Sequence, residues 1–310
     1  MKKPLLSVII VNWNTWNLVD QCLRSVVQDN LEGSLQIIVV DNGSSDGSAD
    51  NIAQFHPLVE LLRNEENTGY ARANNQGLRM VTAPYVCLLN SDTIVPRGVL
   101  KSLVGFLQSN PDAIACAPAL RLPDGNLQVG GAGFSLSLAS AFNHFMFLSR
   151  FCPDKFKGMY IYQDYFVRKG VPLRVDWLVG ACLVVRMSAI AVAGALTEEY
   201  HMYAEDVEWC QRLAPVGALY FVPGLEITHL VGASSPGGKP SITWLSSTFA
   251  LYKKQHGPVM TKLFQLIFLL GFGIRFLAYM LMSLNSSKYS VNAREMLVYS
   301  VFSVKAVVGL

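Results

Sequence analysis

The chain has 310 residues, enough for one large domain or for one domain with an appendage. Hydrophobic residues make up 51% of it and charged residues only 15%, a balance that indicates membrane contact. The net charge of +3 hides an asymmetry: residues 251–310 carry seven Lys and Arg and one acid, whereas residues 1–250 carry 18 basic and 21 acidic residues. An acidic body with a basic, apolar tail is not the profile of a nucleic-acid binder.

The six cysteines are scattered, without a CxxC pair or metal-finger spacing, so buried free thiols in a reducing compartment are the simplest account. The opening MKKPLLSVIIVNWN has some character of a signal peptide. Its apolar run, however, contains a serine, ends at Asn12 and lacks a small-residue cleavage site. A buried β-strand is the better interpretation.

The first hundred residues alternate strand and helix patterns. LLSVIIV is a continuous β-branched run, typical of a strand that is covered on both faces, and a helix is predicted over 17–28. The next elements are predicted as strand, helix, strand, loop with helix, and strand, at 35–41, from 50, at 59–63, at 67–81 and at 85–92. Strands separated by helices predict a largely parallel sheet and an α/β fold.

Three polar groups follow the predicted strands, at Asn12, at Asp41 and in the run Asn90-Ser91-Asp92. Ligands bind such sheets at the carboxyl ends of the strands, so these groups are expected to converge on one edge. Asp92, with Asn90 two residues earlier, suits a hard divalent cation that also holds a diphosphate. An Asx-type turn that caps the strand is the structural alternative. His229 is a possible further ligand, although a lone histidine is more often structural.

The segment 134–170 holds ten of the 28 Phe and Tyr residues, with basic residues among them. It is interpreted as a helical hairpin packed on the body, or as a flap that touches an amphipathic acceptor or the bilayer. From residue 258 the tail has 12 uncharged residues, then Arg275, then nine more. A span needs about 20 apolar residues, and a central Arg is costly there. A helix lying in the membrane interface fits better, with a second apolar segment at 296–310 to pair with it. A soluble helical subdomain is the alternative.

The stretch HMYAEDVEWCQRL places Glu205 and Asp206 side by side, with Glu208 two places on. Acids in the first turn of a helix face its positive end and stabilise it by roughly 0.3–1 kcal/mol each. The other interpretation is a catalytic carboxylate. Other phosphate or hydrolase signatures are missing from the sequence: GxxxxGK[ST], GxGxxG after a strand, GxSxG and HExxH.

Seven stretches occur in the order seen in inverting GT-A glycosyltransferases of family 2: SVIIVNWN, IIVVDNGSSDGS, NTGYARANNQG, YVCLLNSDT, DWLVGACLVVR, GALTEEYHMYAEDVEWCQRL and ITHLVGAS. The chain most resembles the bacterial rhamnosyltransferase-type branch that extends lipid-linked glycans. The resemblance covers about residues 5–257. It implies a GT-A fold with a Rossmann-like, mixed and mostly parallel sheet over 1–257, in which 134–170 is an insertion or acceptor flap. Membrane-associating helices would follow over 258–310.

The resemblance also implies roles for matching positions. Asp206 would be the catalytic base and Glu205 would orient the base or the acceptor. Asp92 and His229 would hold Mg²⁺ or Mn²⁺. The positions expected to contact the donor are Asn12, Asn14, Asp41, Asn67, Asn74 and Asp92. Those assigned to the acceptor are Trp177, Gly180, Ala181, Glu208 and Trp209.

Three positions depart from the family pattern. Thr197 stands where the family often has Asp, Glu208 replaces a common Asp, and Ser91 replaces a common Pro. None of these changes removes the candidate base or the metal aspartate, but Thr197 puts the acceptor-side details in doubt and suggests a specialised subgroup.

The expected activity is metal-dependent transfer of a sugar, rhamnose on the resemblance alone, from a dTDP-, UDP- or GDP-linked donor. The acceptor would be a saccharide on a polyprenyl diphosphate, in cell-surface polysaccharide synthesis such as that of O-antigen. The enzyme would be peripheral or monotopic at the cytoplasmic face of the inner membrane, without nucleic-acid partners. One rival is an inactive glycan-binding scaffold on the same fold. The other is a sugar nucleotidyltransferase, against which the first loop counts because it has no glycine and no basic residue before Arg24.

Overall fold

The computed structural model describes residues 3–29, 34–200, 203–230, 242–286 and 288–309. The chain forms two compact units. The first comprises Met1–Gly133 and Gln163–Gly237, and the second comprises Phe134–Tyr162 and Gly238–Leu310. The predicted segment 134–170 is thus divided between them, with its last residues in the first unit.

All the described strands lie in the first unit. They are β1 Leu6–Asn12, β2 Leu35–Asp41, β3 Val59–Arg63, β4 Tyr85–Asn90, β5 Thr93–Ile94, β6 Ala113–Arg121, β7 Ala132–Gly133, β8 Leu173–Val175, β9 Trp177–Leu178, β10 Cys182–Arg186 and β11 Ala218–His229. The strands predicted at 35–41 and 59–63 have these bounds in the structure.

The helices are α1 Trp16–Asp29, α2 Ser48–Phe55, α3 Tyr70–Leu78, α4 Val99–Ser109, α5 Leu138–Phe145, α6 Leu148–Phe151, α7 Gln163–Lys169, α8 Met187–Ala193, α9 Glu205–Leu213, α10 Thr243–Ser283 and α11 Lys288–Val308. Of these, α5, α6, α10 and α11 belong to the second unit. The predicted domain boundary at residue 257 stays a prediction; in the structure Gly257, with φ 75° and ψ 176°, interrupts α10 just before Pro258.

The main sheet runs β3-β2-β1-β4-β10-β6-β11-β5, with β8 paired to β11, and β7 pairs with β9 in a small second sheet. The strands β3, β2, β1 and β4 are parallel neighbours, whereas β10 is antiparallel to both β4 and β6. β11 is again parallel to β6. The predicted α/β class is confirmed.

The core of the first unit explains the continuous apolar strands. Val8 and Ile10 of β1 pack in one layer with Leu23 of α1 and Leu103 of α4, and all four are buried. Helices α1 and α4 therefore cover this face of β1, while Ile9 on its other face is buried against Gly77 of α3. A strand covered on both faces has no need for polar alternation.

The second unit is built on contacts between α5 and α10. The Phe145 ring lies between Phe268 and Phe272, with centroid distances of 4.4 and 5.2 Å. Gly271 permits this approach, because a Cβ there would stand 2.1 Å from the Phe145 ring. Since such overlap is impossible, a glycine is required at this crossing.

Arg275, the cation in the middle of the apolar tail, has a specific place in this unit. Its guanidinium donates to the carbonyl oxygens of His144 at 3.1 Å and Phe145 at 2.9 Å, the last two residues of α5. It also lies 4.2 Å from the centroid of the Phe147 ring. A cation at the C-terminus of a helix satisfies free carbonyls and is attracted by the helix dipole.

Beyond Pro258, α10 has two apolar faces. One face, which includes Phe264 and Phe268, is buried in the second unit. The other is an exposed stripe at helical spacing, comprising Val259, Leu263, Leu266, Leu270, Ile274, Leu277, Leu281 and Leu284. Among the described helices, α10 alone is long and apolar enough to cross a membrane, with a mean hydropathy of 1.9 in its most apolar window.

Candidate active site

Asn12 and Asp41 lie side by side at the carboxyl ends of β1 and β2, because these parallel strands pair in that register. Asn12 Nδ2 donates to Asp41 Oδ2 at 2.8 Å, and the Ser44 N–H donates to Asp41 Oδ1 at 3.0 Å. On the other side of β1, Val11 pairs with Asn90 of β4. The predicted convergence of the three strand ends is therefore present in the structure.

The loop after β1 and the loop after β2 are joined through Asn14. This residue has a left-handed backbone with φ 53°. Its N–H donates to Ser44 Oγ at 2.9 Å, and its Oδ1 accepts from the Ser45 N–H at 2.7 Å. Asn14 thereby fixes the DNGSS turn beside Asp41, one of the residues expected to contact the donor.

The other two predicted donor contacts lie farther along the same edge. Asn67 Oδ1 accepts from Asn42 Nδ2 at 2.9 Å, which links the loop before α3 to the end of β2. Asn74 is buried within α3, and its Nδ2 donates to the Tyr70 carbonyl at 2.9 Å. Asn67 is exposed in the loop before α3, whereas Asn74 would have to break its bond within the helix to meet a ligand. Both assignments stay predictions.

Asp92 and His229 face each other at the end of the sheet. Antiparallel pairing sets Thr93 of β5 opposite His229 of β11, so Asp92 Oδ1 lies 3.2 Å from His229 Nε2. Both side chains are buried. Gln128 Oε1 lies 2.7 Å from His229 Nδ1 and Asn90 Nδ2 lies 3.4 Å from Nε2.

This pair fits a divalent cation. When Nδ1 carries the proton and donates it to Gln128, the Nε2 lone pair faces the Asp92 carboxylate. A cation between the two groups would remove their mutual repulsion. Two ligands about 2.1 Å from one ion and roughly at right angles stand about 3 Å apart, close to the observed separation. In the part of the chain that the structure describes, no group of three His, Cys, Asp or Glu side chains could hold a metal. The remaining ligands would have to be phosphate oxygens of the donor and water, which are common ligands of Mg²⁺.

The two acids Glu205 and Asp206 begin α9, after two strained residues. Tyr203 and Ala204 have left-handed φ angles of 65° and 72°. For residues other than glycine such conformations cost of order 1–3 kcal/mol each and are concentrated at functional sites. The turn they form leads directly into the first turn of α9. Both acids therefore lie where the helix dipole stabilises them, and this position is compatible with the catalytic interpretation as well.

The surroundings of the two carboxyl groups differ. Asp206 is half-buried; its Oδ2 accepts from the Gly180 N–H at 3.2 Å and its Oδ1 from the Val207 N–H at 2.8 Å. Glu205 is buried, and its Oε2 has no hydrogen-bond partner among the described residues.

These surroundings set the protonation of the pair. Burial and the neighbouring Asp206 charge raise the pKa of Glu205 to about 8. Burial also raises the pKa of Asp206, but the N–H groups of Gly180 and Val207 oppose that rise. Adjacent acids avoid double ionisation, and the one with donors keeps the charge. Glu205 is therefore the acid of the pair that keeps its proton to higher pH, and Asp206, with its two N–H donors, is the one that ionises first.

Of the five positions assigned to the acceptor, one contacts the candidate base and its neighbour in the chain contacts the end of β4. Gly180 contacts Asp206, and the carbonyl of Ala181 accepts from the Asn90 N–H at 3.0 Å. Trp177 and Trp209 are buried, and Trp209 Nε1 donates to the Gly194 carbonyl at 2.8 Å. The Glu208 carboxylate forms an ion pair with Arg212 at 2.8 Å. In this structure Trp177, Glu208 and Trp209 stabilise the protein around the site, and their contact with an acceptor stays a prediction.

Four residues of the site were not found by sequence analysis. Asn42 and Gln128 support Asn67 and His229, Tyr70 contacts Gly180, and Asn75 Nδ2 donates to the Leu196 carbonyl at 2.9 Å. Asn75 lies next to Asn74, the position that the family resemblance assigned to the donor, and the resemblance gave it no role. Gln128 lies about a hundred residues from His229, so no local pattern could indicate it.

Comparison with known proteins adds three findings. Residues 7–159 match the family model of glycosyl transferase family 2. Over 237 residues the chain is 29% identical to an N-acetylglucosaminyl-diphospho-decaprenol L-rhamnosyltransferase of Mycobacterium tuberculosis, covering 73% of this chain and 76% of that protein. It is also similar to the mannosyltransferase PcManGT from Pyrobaculum calidifontis in complex with GDP-Man and Mn²⁺, with a TM-score of 0.58, 17% identity, and 98% and 87% coverage of the two chains.

A second solved structure, GalNAc-T7 with UDP, GalNAc and Mn²⁺, has the same TM-score of 0.58 at 17% identity. The match covers 80% of this chain but 48% of that one, so the present chain spans about half of its length. Both likenesses show the fold, and with them the predicted GT-A fold is confirmed.

The raised pKa of Glu205 predicts a pH-dependent stability. Its ordinary value is 4.5 and its value in the folded protein is about 8, so between these values the folded state binds the additional proton. The free energy of unfolding should therefore fall as pH rises through this interval. Relative to Glu205→Gln, wild type should lose roughly 2–4 kcal/mol between about pH 5 and pH 9, measured by urea unfolding.

The matched control is Glu65→Gln, which changes an exposed acid in the same unit. It should keep the wild-type pH dependence. Equal slopes for wild type and Glu205→Gln would show that Glu205 ionises normally in the folded protein.

Proposed function

Because the chain is a glycosyltransferase with a family 2 domain over residues 7–159, we propose that it transfers a sugar from a nucleotide donor with inversion at the anomeric carbon. The observation that carries this proposal is the Gly180–Ala181 turn. Its Gly180 N–H binds Asp206 and its Ala181 carbonyl binds the N–H of Asn90, two residues before Asp92. One short turn thus connects the candidate base to the strand end that bears the candidate metal ligand.

In the proposed reaction, the acceptor hydroxyl oxygen forms a bond to the anomeric carbon while the bond from that carbon to the donor diphosphate breaks. Asp206 takes the hydroxyl proton, and the electron pair of the broken bond leaves with the nucleoside diphosphate. Glu205, protonated beside it, keeps a second negative charge away from the base. Asn12 and Asp41 would bind the nucleoside, with the Asn14 loop holding their turn in place.

Asp92 and His229 are the residues that would hold Mg²⁺ or Mn²⁺. A bound divalent cation supplies positive charge to the departing diphosphate. Gln128 would fix the tautomer of His229 so that Nε2 is available, a common arrangement for metal-binding histidines.

The proposal for the substrates is based on the relative from M. tuberculosis, whose name describes rhamnosyl transfer to N-acetylglucosaminyl-diphospho-decaprenol. The proposed donor is accordingly dTDP-rhamnose, and the proposed acceptor is a saccharide on a polyprenyl diphosphate. The apolar stripe of α10 supports a lipid-linked acceptor, since it gives the protein a surface suited to the membrane that carries such lipids.

That surface favours an in-plane arrangement of α10. Arg275 is bound to the carbonyl ends of α5, so the irregular segment after Phe145 lies at the level of Arg275 on the helix. Irregular backbone exposed to lipid does not occur in the hydrocarbon core. The helix would therefore lie in the interface, with the stripe in the lipid, at the cytoplasmic face where the tail's seven basic residues meet anionic headgroups.

The first test is calorimetry of dTDP, UDP and GDP binding with Mn²⁺ or EDTA. One nucleotide should bind in a metal-dependent manner. Asp92→Ala should weaken that binding by at least about 100-fold. Loss of a residue that only supports a metal ligand already costs up to about 100-fold in metal affinity, and Asp92 is a proposed ligand itself. Asp112→Ala, at an exposed site, should bind as wild type does. Absence of binding for every nucleotide would contradict the proposal and favour the inactive scaffold.

Asp206→Asn tests the base. The amide has nearly the same shape but takes up no proton, so kcat should fall by about 10²–10⁴ while nucleotide binding stays intact. Rhamnosyl transfer to a short-chain N-acetylglucosaminyl-diphospho-prenol is the assay, with Asp112→Asn as the control. Wild-type turnover in Asp206→Asn would remove this residue from the mechanism.

Vesicle flotation tests the membrane surface. The double variant Leu266→Glu with Leu270→Glu takes two exposed apolar side chains out of lipid, each of which contributes roughly 2 kcal/mol, or about 30-fold in partitioning. Binding to anionic vesicles should be lost. Val192→Glu, an exposed valine of the first unit, should bind normally. Full binding of the double variant would place the membrane contact elsewhere.

A further inference from the structure

Tyr70, the first residue of α3, is connected to the candidate base through one glycine. Its hydroxyl donates to the Gly180 carbonyl at 3.0 Å, while the Gly180 N–H donates to Asp206 Oδ2 at 3.2 Å. The two bonds leave Gly180 from the peptide groups on either side of its Cα. The turn therefore has one side held by Tyr70 and the other directed at Asp206.

The contact between Tyr70 and Gly180 is as close as a glycine allows. A Cβ at position 180 would stand 2.7 Å from the Tyr70 hydroxyl oxygen and 3.5 Å from the nearest ring carbons. Glycine is the most mobile residue, so its orientation depends on the bonds of its neighbours. Two hydrogen bonds hold the backbone on the carbonyl side of Gly180. One joins the Tyr70 hydroxyl to the Gly180 carbonyl, and the other joins the Asn90 N–H to the Ala181 carbonyl. The hydroxyl thus restricts a backbone that glycine alone would leave free.

We propose that Tyr70 is a positioning residue, which holds the Gly180 N–H on Asp206 and so fixes the orientation of the base for proton transfer. This inference rests on the proposed function, because it requires Asp206 to be the base. Tyr70 itself need not touch the substrate.

Among the described residues, the ionisable groups that interact with Asp206 lie on α9 and on α3. They are Glu205 and Cys210 on α9 itself, and Tyr70 on α3. Burial and the two acids raise the pKa of Tyr70 well above its ordinary value, so its hydroxyl is neutral. Tyr70→Phe therefore removes no charge, and an effect on Asp206 must come from the Gly180 N–H. A carboxylate that loses a donor becomes easier to protonate.

The test is the pH profile of kcat for Tyr70→Phe. The acid limb should move up by roughly half a pH unit to one unit, because the base is protonated more readily. KM for the nucleotide sugar should change by less than about twofold, since donor binding is unaffected. The control is Tyr220→Phe, which also removes a hydroxyl that bonds within the first unit, 3.0 Å from Asp112. It should leave the profile unchanged.

A double-mutant cycle supplies a second measurement. Gly180→Ala places a methyl group against the Tyr70 hydroxyl and should lower kcat; in the background of Tyr70→Phe, that clash is relieved and Gly180→Ala should cost several-fold less. Additive effects, or an acid limb that does not move in Tyr70→Phe while Asp206→Asn is inactive, would overturn the positioning role alone. An active Asp206→Asn would instead overturn the proposed function on which it rests.

Discussion

The parallel pairing of β1 with β2 and β4 is the constraint on which the site depends. Parallel strands in register bring their carboxyl ends to one edge, so residues about 30 and 80 positions apart in sequence become neighbours. Asn12 and Asp41 are direct partners in the ladder, and Asn90 follows one residue out of step. The apolar interior of the strands secures that register, because a slip would place buried side chains on the wrong face.

The reversal of direction at β10 extends this edge toward the candidate base. β10 runs antiparallel to β4, so its amino end, rather than its carboxyl end, reaches the site. The turn that enters β10 therefore lies next to Asn90 and can meet the start of α9. A fully parallel sheet would have placed a strand end there and left α9 without its backbone donor.

Much of this arrangement can be predicted from sequence, for identifiable reasons. Continuous β-branched runs indicated β1 and β2, and the polar residue after each run indicated the edge. The acidic start of α9 followed from its three carboxylates in one turn. The antiparallel β10 could not be predicted, since an apolar strand has the same pattern in either direction. The left-handed Tyr203 and Ala204 were equally hidden, because neither residue type favours that backbone. The role of Gln128 could not be predicted either, because its partner His229 is distant in sequence.

The packing of Phe145 against Gly271 couples two parts of the chain that are synthesised far apart. The aromatic segment around α5 leaves the ribosome more than a hundred residues before the helix that covers it. Until α10 is made, Phe145 has no counterpart for its ring and the end of α5 has no Arg275 to satisfy its carbonyl groups. A protein that ends at residue 257 would lack these contacts permanently, and the exposed ring of Phe145 would favour aggregation. The tail and residues Phe134–Tyr162 thus belong to one compact unit, and a shortened gene that omits the tail should omit both segments together.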